Sequence, residues 1–168
     1  SYGEVGDGTN TQRNVPVSVY AGGTLVNRQV VSVAAGAYHS LALCSDGTAL
    51  GWGYGALDEL GDGYSTGSTV PVAVNTSGVL AGRAVSGIGA GYGHSLAVCS
   101  DGTMASWGFN MYGELGNNSS SRSPVPITVS TSALVSGERV IAIAAAKYGS
   151  HDVALVASPV SSPVVNTH

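Results

Sequence analysis

Residues 30–53 read VVSVAAGAYHSLALCSDGTALGWG, and residues 84–108 repeat this pattern as AVSGIGAGYGHSLAVCSDGTMASWG. A single constant step relates the two copies, because His39 is as far from His94 along the chain as Trp52 is from Trp107. The flanks keep this step at two further sets of positions: Gly6, Gly61 and Gly116, and Pro16, Pro71 and Pro126. A fixed period in this range indicates a repeat architecture, with one supersecondary unit in each copy.

Each copy consists of short apolar segments divided by turn residues. VVSVAAG (30–36) is β-branched and apolar, which predicts a strand buried on both faces. HSLALCS (39–45) alternates in the manner of a second strand, and TALGWG (48–53) is the returning strand. Between them, Asp46-Gly47 predicts a two-residue hairpin of type I′, because glycine takes a positive φ at no steric cost.

A Val-Pro-Val or Val-Pro-Ile segment supplies a fourth strand in each unit. In its first occurrence, VPVSV at 15–19, it predicts an edge strand, where proline is tolerated. No window shows a helical period. Short strands with evenly spaced turns in a repeat of this length predict an all-β protein, a partial β-propeller made of four-stranded antiparallel blades.

The period also predicts the domain organisation. We expect propeller repeats over residues 1–157 and a tail or linker at 158–168. Within the repeats, the blade-like units lie at about 30–74 and 84–129, and partial units lie at 1–19 and 139–157. His151 follows His94 by slightly more than one period, and no Asp-Gly hairpin or Trp-Gly strand comes after it. Fewer than three blades cannot close a ring, so we expect either a longer propeller or association of copies.

Composition excludes several functional classes. Only 10% of the residues are charged, Lys147 is the one lysine, and the net charge is −4. A nucleic-acid surface needs clustered basic residues, so we expect no nucleic-acid partner. No apolar run is long enough to span a membrane, so we expect no membrane insertion. Cys44 and Cys99 occupy the same place in successive repeats, which favours buried free thiols over a disulfide.

The repeated histidines and aspartates have two interpretations. His39, His94 and His151 could be metal ligands or general bases, but one histidine in each blade does not converge on a single point. We therefore favour hydrogen bonds from each imidazole to a neighbouring loop. Asp46 and Asp101 precede glycines in turns, where a short side chain caps backbone N–H groups.

No motif predicts catalysis or a cofactor. No Ser/His/Asp set and no carboxylate pair stands apart from the repeat itself. GDGTNT and GDGYST superficially resemble calcium-binding turns, but they lack the ligand spacing and terminal glutamate of such loops. We expect no catalytic residue, no bound metal and no cofactor.

The aromatic residues after the third strand predict a partner-binding face. Trp52 and Trp107 recur at the repeat spacing, which favours packing between blades. Tyrosine and methionine are enriched at protein interfaces. We interpret the residues in or near the following turn as a recognition surface: Tyr54, Tyr64, Phe109, Met111 and Tyr112.

Together these motifs resemble the regulator of chromosome condensation repeat. The shared pattern is GAYHSLALCSDGT with GWG and GYGHSLAVCSDGT with SWG, joined by the turns YGEVGDG, LDELGDG and YGELGNN. The resemblance covers residues 2–156 and implies a propeller, usually of seven four-stranded blades. Members of that family include a nuclear exchange factor for a small GTPase that binds chromatin, parts of ubiquitin ligases, and secreted inhibitors of β-lactamase.

Three functions follow from the sequence, and fold alone does not choose between them. The first is a non-enzymatic protein-binding or structural module, surface-exposed or secreted, whose partner is another protein or further copies of itself. The second is a guanine-nucleotide exchange regulator of a small GTPase, which the family resemblance implies. The third is an enzyme that uses one propeller face. Low charge and the lack of a catalytic set favour the first.

Overall fold

The computed structural model describes residues 1–146 and 151–158, which form three antiparallel sheets. The first sheet contains β1 (Val30–Ala35), β2 (His39–Cys44), β3 (Ala49–Gly53) and β4 (Ser68–Ala73). The second contains β5 (Val85–Ala90), β6 (His94–Cys99), β7 (Met104–Gly108) and β8 (Ser123–Thr128). The third contains β9 (Arg139–Ala145) and β10 (Asp152–Ala157), and one 3-10 turn spans Gly23–Leu25. Apart from Ser158, the expected tail lies outside the described residues.

The two four-stranded sheets are repeats of one another in strand order and register. Strands pair in chain order, so each sheet is an antiparallel meander. Ser40 lies opposite Trp52 in the first sheet, and Ser95 lies opposite Trp107 in the second. This architecture confirms the predicted fold class, an all-β partial propeller of four-stranded blades.

The hairpin between β2 and β3 corrects one detail of the sequence prediction. Gly47 has a φ of 82° as expected, but Asp46 is not at positive φ, so the turn is not of type I′. Cys44 and Thr48 pair across the loop through a Cys44 N–H bond to the Thr48 carbonyl of 2.9 Å. The loop therefore has three residues with glycine in the left-handed position, a common alternative to two-residue turns.

The predicted strand at 15–19 is absent from the described structure. Its repeat equivalent at 70–72 lies within β4, where Val72 pairs with Gly51 of β3. No third strand of a preceding unit runs beside residues 15–17 within the described part of the chain, and Val15 is exposed. A Val-Pro-Val segment forms a strand here only when a neighbour supplies the ladder, so the prediction was wrong for lack of a partner.

The sheets stack face to face, and the core lies between them. Leu41 and Leu43 of the first sheet belong to the same buried cluster as Ala97 and Trp107 of the second. Val98 and Met104, on the other face of the second sheet, pack with Val140 of β9. Each inner strand thus faces the neighbouring sheet, as successive propeller blades do.

Both outer faces of the stack are apolar and partly open. On the first sheet, the buried residues of β2 and β3 pack against Val19 and Leu25, but β1 is largely exposed, so the prediction of a strand buried on both faces was wrong. Val30 is 41% exposed, whereas Val85, its equivalent in the second sheet, is 6% exposed because the first sheet covers it. At the other end, Val153 and Leu155 of β10 are exposed. Within the described residues, no helix has the length and apolar character needed to cross a membrane.

Candidate functional site

The structure separates the five predicted recognition residues into three places. Tyr54 lies in a group of tyrosines described below. Phe109 contacts Tyr112, with ring centroids 6.2 Å apart, and Met111 is exposed beside them in sequence. Tyr64 is exposed and has no ring contact within the described part of the chain.

Four tyrosines form one contiguous surface, which we call the tyrosine cluster: Tyr2, Tyr38, Tyr54 and Tyr92. The ring of Tyr2 lies 4.8 Å from that of Tyr54 and 5.8 Å from that of Tyr38, in edge-to-face geometry. Tyr38 also contacts Tyr92 at 5.6 Å, which extends the cluster from the first sheet to the second. Edge-to-face contacts at these distances are favourable for aromatic rings.

Positions near strand ends explain why these residues meet. Tyr38 and Tyr92 stand just before β2 and β6, and Tyr54 follows β3, where its N–H donates to the Tyr38 carbonyl at 2.8 Å. Stacking of the two sheets then brings Tyr92 beside Tyr38. Tyr2 comes from the turn that precedes the first sheet.

The cluster is partly exposed to solvent. Tyr2, Tyr92 and Tyr38 are 51%, 42% and 37% exposed, and Tyr54 is half-buried. Interaction with the Tyr92 side chain raises the pKa of the Tyr38 hydroxyl, so this group is neutral at physiological pH. Neutral, rigid and amphipathic side chains suit protein recognition because ordering them costs little conformational entropy.

Sequence reasoning missed three of the four members. It selected residues after the third strand, whereas Tyr2, Tyr38 and Tyr92 lie before the second strand or in the preceding turn. The signal available was the tyrosine just before each repeated histidine, in GAYHS and GYGHS. What the sequence could not supply was the stacking that places Tyr92 beside Tyr38.

The repeated histidines join adjacent sheets. His39 Nε2 lies 2.9 Å from Ser95 Oγ, and His94 Nε2 lies 2.9 Å from Asp152 Oδ1. Both imidazoles are about 1% exposed. Their partners are strand residues of the next sheet, so the predicted loop partners were wrong, and among the described residues the exposed His151 side chain makes no such bond. Asp152 stands in the third sheet where the first two have serine.

A buried acidic turn completes the contact between the first and second sheets. The Glu59 carbonyl accepts bonds from Ser95 Oγ at 2.8 Å and from Trp107 Nε1 at 2.9 Å. The Glu59 carboxylate accepts the Leu57 N–H at 2.9 Å, but its second oxygen has no partner among the described residues. Burial, with the nearby Asp58 charge adding to it, raises the pKa of Glu59 to about 7.

The remaining predicted features have structural positions. Cys44 and Cys99 are free and buried at the ends of β2 and β6, and burial raises the pKa of both thiols. Asp46 accepts the Thr48 N–H at 2.9 Å and pairs with Arg28, as Asp101 does with Thr103 and Arg83. Within residues 1–146 and 151–158, no three His, Cys, Asp or Glu side chains converge as a metal site would require.

One family model of the regulator of chromosome condensation (RCC1) repeat matches this chain over residues 1–43 and 101–151. A second model of the same repeat matches residues 30–57 and 85–114. The chain belongs to the RCC1 repeat family. The matches span His39 and His94, the Asp-Gly hairpins and the two tryptophans described above.

Curated relatives are larger proteins. The chain is 33% identical to the ultraviolet-B receptor UVR8 of Arabidopsis thaliana over 115 residues, which is 68% of this chain and 25% of that receptor. It is 34% identical to the human E3 ubiquitin-protein ligase HERC2 over 120 residues, 70% of this chain and 2% of the ligase. The chain therefore spans a quarter or less of these two relatives.

Solved structures share the fold. Human WBSCR16 superposes with a TM-score of 0.65 at 26% identity, covering 86% of this chain and 36% of that one. Prp20p of Saccharomyces cerevisiae, described with its binding to Gsp1p and histones, superposes with a TM-score of 0.62 at 24% identity, covering 72% of this chain and 30% of that one.

Proposed function

We propose that this chain is a non-enzymatic protein-binding module of the RCC1 type, and that the tyrosine cluster is its contact surface. The observation that carries the proposal is the four-ring surface that joins two sheets, with three rings more than a third exposed. Partly exposed rings add little burial free energy to a monomer, whereas a protein interface would bury their apolar area and supply hydrogen-bond partners for their hydroxyl groups.

The repeat extends this surface to residues that the sequence selected. Phe109 is the equivalent of Tyr54, one period later, and Tyr112 is the equivalent of Tyr2 after two periods. We include Phe109, Met111 and Tyr112 in the proposed face on this ground.

The polar groups that could catalyse a reaction are engaged in structural contacts, which supports a binding role. His39 and His94 are buried between sheets, and Asp46 and Asp101 cap hairpins. General acid–base catalysis requires a group within hydrogen-bonding reach of a substrate, and these imidazoles are enclosed by protein.

Affinity capture with the complete chain as bait tests the role of the tyrosine cluster. We expect the double variant Tyr38→Ala/Tyr92→Ala to lose bound proteins that the wild type and Tyr20→Ala retain. Tyr20 is an exposed tyrosine outside the cluster and is the matched control. Retention of the same proteins by all three forms would contradict the proposal, provided that denaturation midpoints show all three to be folded.

The alternative, nucleotide exchange on a small GTPase, predicts a different result. Loading of fluorescent nucleotide onto candidate GTPases would accelerate in the presence of the chain. Such acceleration would replace the binding-only proposal with exchange activity.

The proposed module also needs further blades at its open faces, supplied by a longer chain or by self-association. The exposed Val30 and Leu155 at opposite ends of the stack support this part of the proposal. A cell-surface or secreted location stays a prediction, which surface biotinylation of the native protein would test.

A further inference from the structure

A groove of about 250 Å³ lies beside the tyrosine cluster. Its lining combines two rings of the cluster with two glycines and two hydroxyl-bearing residues of β4: Tyr2, Tyr54, Gly53, Gly67, Ser68 and Thr69. The two glycines bring their backbones together, because a Cβ on Gly67 would stand 2.7 Å from the Gly53 carbonyl oxygen. One part of the groove is therefore aromatic, and another part consists of bare peptide groups.

The groove offers no counter-charge to a partner. Among the described residues that line it, none has a charged side chain. A run of lysines, arginines or acidic residues would lose its hydration here without gaining an ion pair, which is unfavourable. Backbone groups, hydroxyl groups and the Asn10 amide supply hydrogen bonds instead. The groove therefore fits an uncharged segment whose carbonyl groups are free to accept.

The rings of the cluster are held in place by one another before any partner binds. Tyr2, Tyr38 and Tyr54 contact each other with ring centroids between 4.8 and 6.2 Å apart. Tyr92 lies 5.6 Å from Tyr38 and extends this group towards the second sheet. Because tyrosine has few rotatable bonds, a platform of packed rings loses little conformational entropy on binding.

The apolar surface continues from the cluster onto the second sheet. Leu57 occupies the position of Tyr2 one period later, and it packs with Phe109 over Gly93. A Cβ on Gly93 would stand 2.8 Å from Leu57 Cδ1 and 3.3 Å from Phe109 Cβ. Gly93 directly follows Tyr92 in the chain, so the two surfaces adjoin. The combined surface suits an extended segment of several residues.

Other modes of peptide recognition fit this surface less well. Strand addition requires an unpaired strand edge, whereas Tyr38 directly precedes β2 and Tyr54 directly follows β3, which both have strand neighbours on each side. A groove for an amphipathic helix is apolar on both sides, whereas Ser68 and Thr69 make part of this groove polar. Recognition of a phosphorylated or acidic motif requires an arginine cluster, which the described lining residues do not supply.

We propose that the tyrosine cluster and its groove bind a proline-rich segment of a partner protein in the polyproline II conformation. Polyproline II has no internal hydrogen bonds, so its carbonyl groups are free to accept from tyrosine, serine and threonine hydroxyl groups. Its proline rings are uncharged and pack against aromatic side chains, as in other aromatic-lined grooves. The inference rests on the proposed function and names the chemistry of the partner.

Fluorine NMR of the complete chain, labelled with 3-fluorotyrosine, tests the proposal. The probe is deca-proline, a preformed polyproline II helix, and the control probe is a flexible glycine–serine peptide of the same length. We expect deca-proline to shift the signals of Tyr2, Tyr38, Tyr54 and Tyr92 saturably and to leave that of Tyr20 unchanged. The control peptide, which has no proline rings and is not preformed, should bind about tenfold more weakly or not at all.

Protein variants locate the binding, with affinity measured by isothermal titration calorimetry. Tyr38→Ala/Tyr92→Ala removes two rings and should weaken the binding of deca-proline about tenfold or more. Tyr20→Ala, outside the cluster and equally exposed to solvent, should leave binding unchanged and is the matched control. Tyr2→Ala serves if the double variant does not fold, because Tyr2 is 51% exposed and only its backbone N–H donates to Glu4.

Three outcomes would overturn the proposal: no saturable binding of deca-proline, equal affinity for the glycine–serine peptide, or binding that Tyr38→Ala/Tyr92→Ala leaves unchanged. Self-association of the chain that this double variant abolishes would also overturn it, by assigning the cluster to a second copy. Failure of deca-proline to bind, with cluster-dependent capture of proteins retained, would reject the proline-rich partner and leave the proposed function in place.

Discussion

Two buried side chains between the first and second sheets have opposite pKa shifts. Burial, with the nearby His94 adding to it, lowers the pKa of His39 to about 3 from a usual value of 6.5. Burial raises the pKa of Glu59 to about 7 from a usual value of 4.5. Both shifts favour the neutral form, so at neutral pH the His39 imidazole is uncharged and Glu59 is only partly ionised. Acid destabilises this contact by protonating His39, and higher pH destabilises it by ionising Glu59.

Replacing His39 should destabilise the fold rather than remove a site. We expect His39→Ala to lower the free energy of unfolding at pH 7.5 by about 1–3 kcal/mol, because Ser95 loses a buried partner. Chemical denaturation measures the loss. His151→Ala, at the equivalent but exposed position, is the control and should have little effect. Equal midpoints for His39→Ala and the wild type would contradict the bridging role.

The same variant has a predicted pH dependence. Since the folded pKa of His39 lies below its unfolded value, the wild type is fully stabilised above pH 6.5 and loses that stability as the pH falls towards 3. The variant lacks this group, so its deficit relative to wild type should shrink below pH 6.5. A deficit that stays constant down to pH 4.5 would argue against burial of a neutral imidazole.

Glu59 should make stability depend on pH in the opposite sense to His39, and Glu59→Gln should remove that dependence. The folded pKa of Glu59 lies above the unfolded value, so wild-type stability from this group declines as the pH rises from 4.5 to about 7. Glutamine does not ionise, so the variant should gain on the wild type over that range, by on the order of 2 kcal/mol. Glu114→Gln, one repeat later, is the comparison. A difference in unfolding free energy between the wild type and Glu59→Gln that does not change with pH would refute this.

At the scale of elements, each three-residue hairpin links the two central strands of a sheet. Gly47 and Gly102 have φ values of 82° and 86°, a region that residues with a Cβ rarely adopt. Asp46 and Asp101 accept the N–H groups of Thr48 and Thr103 across these loops. At Gly47 the backbone conformation is the main constraint, because a Cβ there would stand 3.4 Å from its nearest neighbour, whereas a Cβ at Gly102 would stand 2.9 Å from Arg139 Cβ.

Gly47→Val should test this dependence. A β-branched residue at this φ is strained, and we expect a loss of about 1–3 kcal/mol in the free energy of unfolding. Gly78→Val is the matched control, because Gly78 is exposed, is not at positive φ, and would bring its Cβ only into ordinary contact with the Pro126 carbonyl oxygen at 3.7 Å. Comparable thermal midpoints for the two variants would show that the hairpin tolerates a side chain.

The strands that sequence could predict are those whose partners lie nearby in the chain. HSLALCS and TALGWG alternate and are joined by Asp46-Gly47, so local pattern was sufficient. The segment at 15–19 has the same local pattern as 70–74, but a strand requires a neighbour, and local pattern does not reveal one. The hairpin type was missed because the register between Cys44 and Thr48, rather than the dipeptide, sets the loop length.

The candidate surface was harder to predict for a related reason. Tyr54 was identified because it follows a strand end in the repeat. Tyr38 and Tyr92 are distant in sequence and meet only because one sheet stacks on the next. Likewise, the sequence shows that Asp152 stands where the first two units have serine. The contact of Asp152 with His94, however, depends on the stacking of the sheets.

At the scale of the whole molecule, the chain is an open stack of blades. The face that covers Val85 in the second sheet has no counterpart over Val30 among the described residues, and Val153 and Leu155 are exposed at the other end. Large apolar faces of this kind indicate association with further protein. Val33→Lys, which places a charge on the first open face, should weaken any association through it.

We propose that these open faces pack against further blades. Light scattering of the isolated chain at low micromolar concentration tests it most directly. We expect a mass of at least twice the 16.7 kDa of one chain, reduced by Val33→Lys. A well-folded particle of 16.7 kDa that does not associate would contradict it.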